Sequence, residues 1–190
     1  MQSTAASGIG VFILAVLLTT RAQNNAVAGE GPWPSRVQGH AAVAPGEHPR
    51  LLFRKSELPE LKRKMNTPEG QAILKRLRAT LNGTDGESMP AKFTTNVKPT
   101  KDGGGPEQPL GTFTFSHAAG YGLLFQLTGE KKYADLARQS IEKQLDGWRD
   151  RDLRYSFRGP FGALRAGPSL GWTALGYDLA YDGWDPAFRE

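Results

Sequence analysis

The chain has no cysteine among its 190 residues. This absence excludes disulfides, a thiol nucleophile, a lipid anchor on an N-terminal cysteine and a zinc site built from thiolates. The folded protein must therefore derive its stability from apolar packing.

Short motifs of several common enzyme classes are also absent. The sequence contains no P-loop, no glycine-rich dinucleotide fingerprint after a strand, no G-x-S-x-G nucleophile elbow and no HExxH motif. His40 and His48 lie in a segment without Asp or Glu at ligand spacing. We therefore expect neither a metal nor an organic cofactor.

The long apolar run of the chain lies at its N-terminus, at residues 9–18 (IGVFILAVLL). The small-x-small pattern of Ala26-Val27-Ala28 follows, which predicts a secretory signal over residues 1–28 that is cleaved after Ala28. The run is shorter than the roughly 20 apolar residues of a membrane span, so we expect a soluble, periplasmic or extracellular mature protein. Because residues 1–8 carry no Lys or Arg, an uncleaved N-terminal anchor is the alternative.

The net charge is +5, and removal of Arg21 with the signal lowers it to +4. A modest positive charge raises the local concentration of polyanions, but it does not distinguish nucleic acid, acidic polysaccharide and anionic lipid. Export favours an acidic polysaccharide as the partner over nucleic acid or a membrane.

Helical periodicity dominates the mature chain after a lead-in, residues 29–55, that is rich in Pro and Gly. Ser56 is predicted to cap a first helix. Apolar spacings of three and four, with start and stop signals, predict helices over residues 57–65, 68–82, 115–128 and 130–145, another from Pro168 onward, and a start at Asp185-Pro186.

The helices predicted at 115–128 and 130–145 are expected to form an antiparallel hairpin. Small residues on the first, among them Ala118 and Gly122, allow a neighbouring helix to approach closely. Trp172, Tyr177 and Tyr181 recur at helical spacing and are predicted to belong to the core, with a platform for sugar stacking as the alternative. Residues 84–111 predict a long loop, either a surface insertion or a functional loop beside a cleft.

The helix that starts at Asp185-Pro186 has almost no sequence after it before Glu190. Such a short helix cannot bury an apolar face. We therefore expect the chain to be a section of a longer protein.

Three stretches together suggest a family: HPRLLF at residues 48–53, LTGEKKYADLA at 127–137, and a GW...YD helix from Gly171-Trp172 to Tyr177-Asp178. In combination they resemble the N-terminal part of heparinase II/III-like and alginate-lyase-type polysaccharide lyases. The resemblance spans residues 47–190.

The resemblance implies an exported protein that begins with an incomplete α/α toroid of helical hairpins and continues into a β-sandwich. The fold class expected here is accordingly all-α, with residues 56–190 as the N-terminal part of the toroid. Such lyases cleave uronic-acid polysaccharides by β-elimination, with catalytic groups from later helices and domains, so no catalytic residue is assigned. The alternative is a non-catalytic helical glycan-binding or scaffold domain.

Candidate substrate-binding residues come from a segment in which arginines alternate with aromatic residues, here called the Arg-aromatic segment (residues 148–165). A guanidinium offers a planar fork to a carboxylate or sulfate, and an aromatic face can stack on a sugar ring. The candidates are Arg154, Tyr155, Arg158, Arg165 and, outside the segment, His117.

Each candidate also has a structural interpretation. The segment can be a solvated loop in which Asp150 and Asp152 pair with the arginines. His117 can be a histidine near a helix start whose ring is bonded to the backbone rather than to a substrate.

Overall fold

Helices account for the regular secondary structure of the part of the chain that the structure describes. The computed structural model describes residues 42–92, 109–150, 157 and 166–190. Short 3-10 turns lie at Lys55–Glu57 and Tyr181–Gly183. The α-helices are α1 (Leu58–Met65), α2 (Pro68–Asn82), α3 (Ser116–Thr128), α4 (Lys131–Leu145), α5 (Ala166–Ala180) and α6 (Pro186–Arg189).

Within these described ranges there is no strand, only an isolated bridge between Lys92 and Thr112. The all-α prediction is therefore confirmed for them. The predicted signal over residues 1–28 and residues 93–108 of the predicted loop lie outside the described residues. None of the helices described is both long and apolar enough to cross a bilayer.

Local signals set the helix ends. The side chain of Thr67 accepts a hydrogen bond from the Gly70 amide, and Pro68 occupies the first position of α2. Gly83 and Gly129 end α2 and α3 with φ angles of 91° and 77°, which favour glycine. Asp185 caps α6 through the Phe188 amide. These predicted signals are confirmed.

The predicted cap at Ser56 is wrong. Ser56 lies inside the 3-10 turn, and Glu57 is the residue that precedes α1. The Glu57 carboxylate instead accepts a hydrogen bond of 2.7 Å from the Arg54 amide. The chain therefore enters α1 through an extra turn, which shifts the cap by one residue.

The core forms where α3 packs between α4 and α5, within the unit Val43–Glu190. Only Gly129 and Glu130 separate α3 from α4, so the two helices form the predicted hairpin. Tyr121 and Leu124 of α3 are fully buried. Apolar side chains surround α3 because it is covered on more than one side.

Small residues allow the close contact of α3 with α5. A Cβ added at Gly176 would lie 2.5 Å from the Cβ of Ala118, and one added at Gly122 would lie 2.7 Å from the Cβ of Leu179. Neither position has room for a side chain. The predicted role of small residues on α3 is therefore confirmed.

The predicted core position of Trp172 is wrong. Trp172 of α5 is 42% exposed, and Leu145, the last residue of α4, is 57% exposed. Tyr177 is half-buried, and its hydroxyl donates a 2.8 Å hydrogen bond to the carbonyl of Arg189.

Candidate functional site

Four of the five predicted glycan-binding residues, Arg154, Tyr155, Arg158 and Arg165, lie outside the described residues. Their contact with a glycan stays a prediction.

Described residues of the Arg-aromatic segment pack against the body of the protein. Phe157 stacks on buried Phe115 with ring centroids 5.2 Å apart, and Trp148 meets buried Phe113 edge-on at 5.1 Å. The Asp150 carboxylate accepts a 3.2 Å hydrogen bond from the Phe115 amide. These contacts anchor the segment at Trp148, Asp150 and Phe157.

His117, the fifth candidate, is 1% exposed at the start of α3. Its Nδ1 accepts a hydrogen bond of 3.1 Å from the Thr114 amide, so Nε2 carries the proton and donates to the carbonyl of Leu81 at 2.9 Å. Burial lowers the pKa of His117 to about 4. Protonation of Nδ1 would also be unfavourable, because it would place a second N–H donor against the Thr114 amide, which is itself a donor. The ring is thus neutral at pH 7, and the geometry favours its structural interpretation.

A second cluster forms around Asp178, which is 2% exposed near the end of α5. Its carboxylate accepts hydrogen bonds from His48 Nδ1 at 2.7 Å and from the amides of Arg50 and Leu51 at 2.9 Å each. The His48 ring stacks on that of Tyr181 with centroids 3.9 Å apart. Asp178 therefore joins the lead-in segment to α5.

The sequence does not indicate that His48 and Asp178 pair, although the HPRLLF and GW...YD stretches that contain them stand out. The available signal was a carboxylate among the apolar residues of α5. A buried carboxylate needs hydrogen-bond donors or a cation, so Asp178 required a partner from another segment. The sequence does not identify that partner, because His48 lies 130 residues earlier.

A cavity of about 490 Å³ lies beside this cluster, where His48, Arg50 and Tyr177 line it together with apolar side chains that include Leu51 and Leu170. An imidazole whose Nδ1 is held by a carboxylate can accept a proton at Nε2. His48 is only 7% exposed, however, and the same carboxylate binds two backbone amides. These contacts make the cluster foremost an anchor for residues 48–51.

A larger cavity, about 560 Å³, lies between α1, α2 and the C-terminal end of α3. Its lining includes three cationic side chains and a single carboxylate, which are Lys62, Lys75, Arg78 and Asp85. We refer to this cavity as the basic groove. Its volume is in the range of small-molecule sites, roughly 300 to 1,000 Å³.

No group of three or more His, Asp or Glu side chains in the described ranges could hold a metal ion. Neither cavity therefore shows a metal centre among these residues.

No known family, curated protein or solved structure matches this chain. The family resemblance thus depends on the three sequence stretches alone, and two of them meet at Asp178.

Proposed function

We propose that this chain is the N-terminal portion of an exported polysaccharide lyase that cleaves acidic, uronic-acid-containing glycans by β-elimination. The contact between His48 and Asp178 carries the proposal. It joins the HPRLLF stretch to the GW...YD helix, which are two of the three stretches behind the resemblance. A sequence motif is stronger evidence when the structure explains why its residues are present. This contact explains the histidine of the first stretch and the aspartate of the third.

The helical arrangement supports the proposal at the level of the fold. The hairpin of α3 and α4, with α5 packed on α3, is the kind of unit that a stack of helix pairs repeats. We infer that these helices begin an incomplete α/α toroid. A structure of the complete gene product in which they formed a closed bundle would contradict this inference.

The chemistry explains why no catalytic residue is assigned here. In β-elimination a base removes the C5 proton of the uronate, its electron pair forms the C4–C5 double bond, and the glycosidic oxygen leaves and is protonated. A donor beside the carboxylate stabilises the charge that develops there. In the proposal, both groups belong to later parts of the protein, since His117 and His48 are both buried.

The test compares the 190-residue chain with the complete gene product on heparan-type, alginate and hyaluronan substrates, by the absorbance of the unsaturated uronate. We expect turnover only by the complete product. Loss of a positioned base costs about 100- to 10,000-fold in rate, and loss of the charge-stabilising donor costs a further factor of about 100 to 1,000. Absence of turnover by the complete product on every acidic glycan would overturn the proposal.

The basic groove favours a second candidate, a non-catalytic glycan-binding or scaffold domain. Its cations can contact an acidic glycan without any reaction. Binding without turnover by the complete gene product would establish this candidate instead.

A further inference from the structure

The basic groove is a separate feature from the Asp178 cluster and from the Arg-aromatic segment. Lys75 and Arg78 lie three positions apart on α2, and therefore on the same face of that helix. Lys62 reaches the groove from α1, and the polar residues Thr84 and Thr128 also line it. Cations from two helices thus converge with neutral hydrogen-bonding groups.

Lys62 and Lys75 differ from their neighbours in their contacts. Arg63 and Lys64, adjacent to Lys62 on α1, both pair with Glu60, at 2.7 and 3.9 Å. Within the described residues, no ion pair or hydrogen bond engages the side chains of Lys62 or Lys75. The two ammonium groups are therefore available to an external anion.

The carboxylate in the groove is already bound by other donors. Asp85 accepts hydrogen bonds from the Asn82 side chain at 2.8 Å and the Glu87 amide at 3.0 Å, and these bonds lower its pKa. Arg78 is fixed by hydrogen bonds from its Nη1 to the Asp85 carbonyl at 2.9 Å and the Tyr133 hydroxyl at 2.7 Å, and it pairs with the Glu87 carboxylate at 3.7 Å. A positioned guanidinium thus lies beside the two lysines.

We propose that the basic groove binds the anionic groups, carboxylate or sulfate, of an acidic oligosaccharide. Lys62 and Lys75 contact the anion, and Arg78 holds a fixed guanidinium beside them. The choice of a saccharide rests on the proposed function. The choice of an anion rests on the groove itself.

The test is calorimetric titration of the chain with hyaluronan fragments, which carry carboxylates only, with sulfated heparin fragments, with a neutral dextran fragment and with sodium sulfate. We expect binding of one or both acidic fragments, weaker at higher salt, and no binding of the neutral one. Preference for the heparin fragments would identify sulfate as the main contact. Equal binding of the neutral fragment would overturn the proposal.

The variant K62Q/K75Q is expected to bind about threefold to tenfold more weakly, the sum of two partly exposed ionic contacts. Its matched control is K64Q/R76Q, which removes the same charge from α1 and α2 at positions outside the groove. The control is expected to bind within about twofold of the parent. Equal weakening of binding in both variants would overturn the proposal, as would unchanged binding in K62Q/K75Q. Thermal melting verifies that both variants fold.

This experiment separates the groove from the proposed function. Turnover by the complete gene product with unchanged glycan binding in K62Q/K75Q would reject the groove and retain the lyase. Selective loss of binding in K62Q/K75Q, without turnover by any form of the protein, would retain the groove and reject the lyase.

Discussion

At the scale of single residues, Asp178 joins distant parts of the chain. It is buried, and its carboxylate satisfies three donors from residues 48–51. Each buried donor that loses its acceptor costs about 1 to 3 kcal/mol. Residues 48–51 therefore depend on this side chain for their position.

We expect Asp178→Ala to lower the free energy of unfolding by about 3 kcal/mol, because His48 and two amides lose their acceptor. Asp178→Asn should cost less, since an amide oxygen can still accept from the backbone. Urea unfolding followed by circular dichroism measures both. The control is Asp182→Ala, which removes a partly exposed ion pair with Lys55 and should cost under about 1 kcal/mol. A loss for Asp178→Ala no larger than the control's would show that the contact contributes little.

At the scale of helices, the contact of α3 with α5 depends on glycine. The Cβ that a substitution would add at Gly176 meets the backbone of Ala118 as well as its side chain, so a rotamer change cannot relieve the clash. Gly171 lies on the same helix with nothing within 4 Å of its added Cβ. The same substitution at the two positions therefore separates packing from helix propensity.

Gly176→Ala is expected to destabilise the protein by about 1 to 3 kcal/mol through overpacking. Gly171→Ala should be neutral or stabilise it by up to about 1 kcal/mol, since Ala is the better helix former. Thermal melting of the two variants beside the parent makes the comparison. Equal shifts in melting temperature would mean that α3 and α5 do not pack this closely.

At the scale of the whole molecule, the predicted export would decide which polyanions the protein meets. The apolar run at residues 9–18 and the Ala26-Val27-Ala28 site predict release from the membrane after cleavage. N-terminal sequencing of secreted material should therefore begin at Gly29. A mature protein that still begins at Met1 would identify the segment as an anchor.

The sequence by itself determined most of the helix ends, because the signals are local, although Ser56 is not a cap and α5 begins at Ala166 rather than at Pro168. Thr67 and Pro68 begin α2, and Gly83 and Gly129 end α2 and α3, through bonds and φ angles within a few residues. These features follow from residue chemistry and need no knowledge of packing. The same holds for the small residues that mark α3 as a close-packing helix.

Only the tertiary structure decided which residues meet. His117 reaches the carbonyl of Leu81 across 36 positions, and Asp178 reaches His48 across 130. Periodicity placed Trp172 in the core, yet it is exposed, because a pattern identifies an apolar face without showing what covers it. The basic groove likewise combines residues from three helices. Contacts between distant segments depend on how helices pack, and local spacing carries no information about that packing.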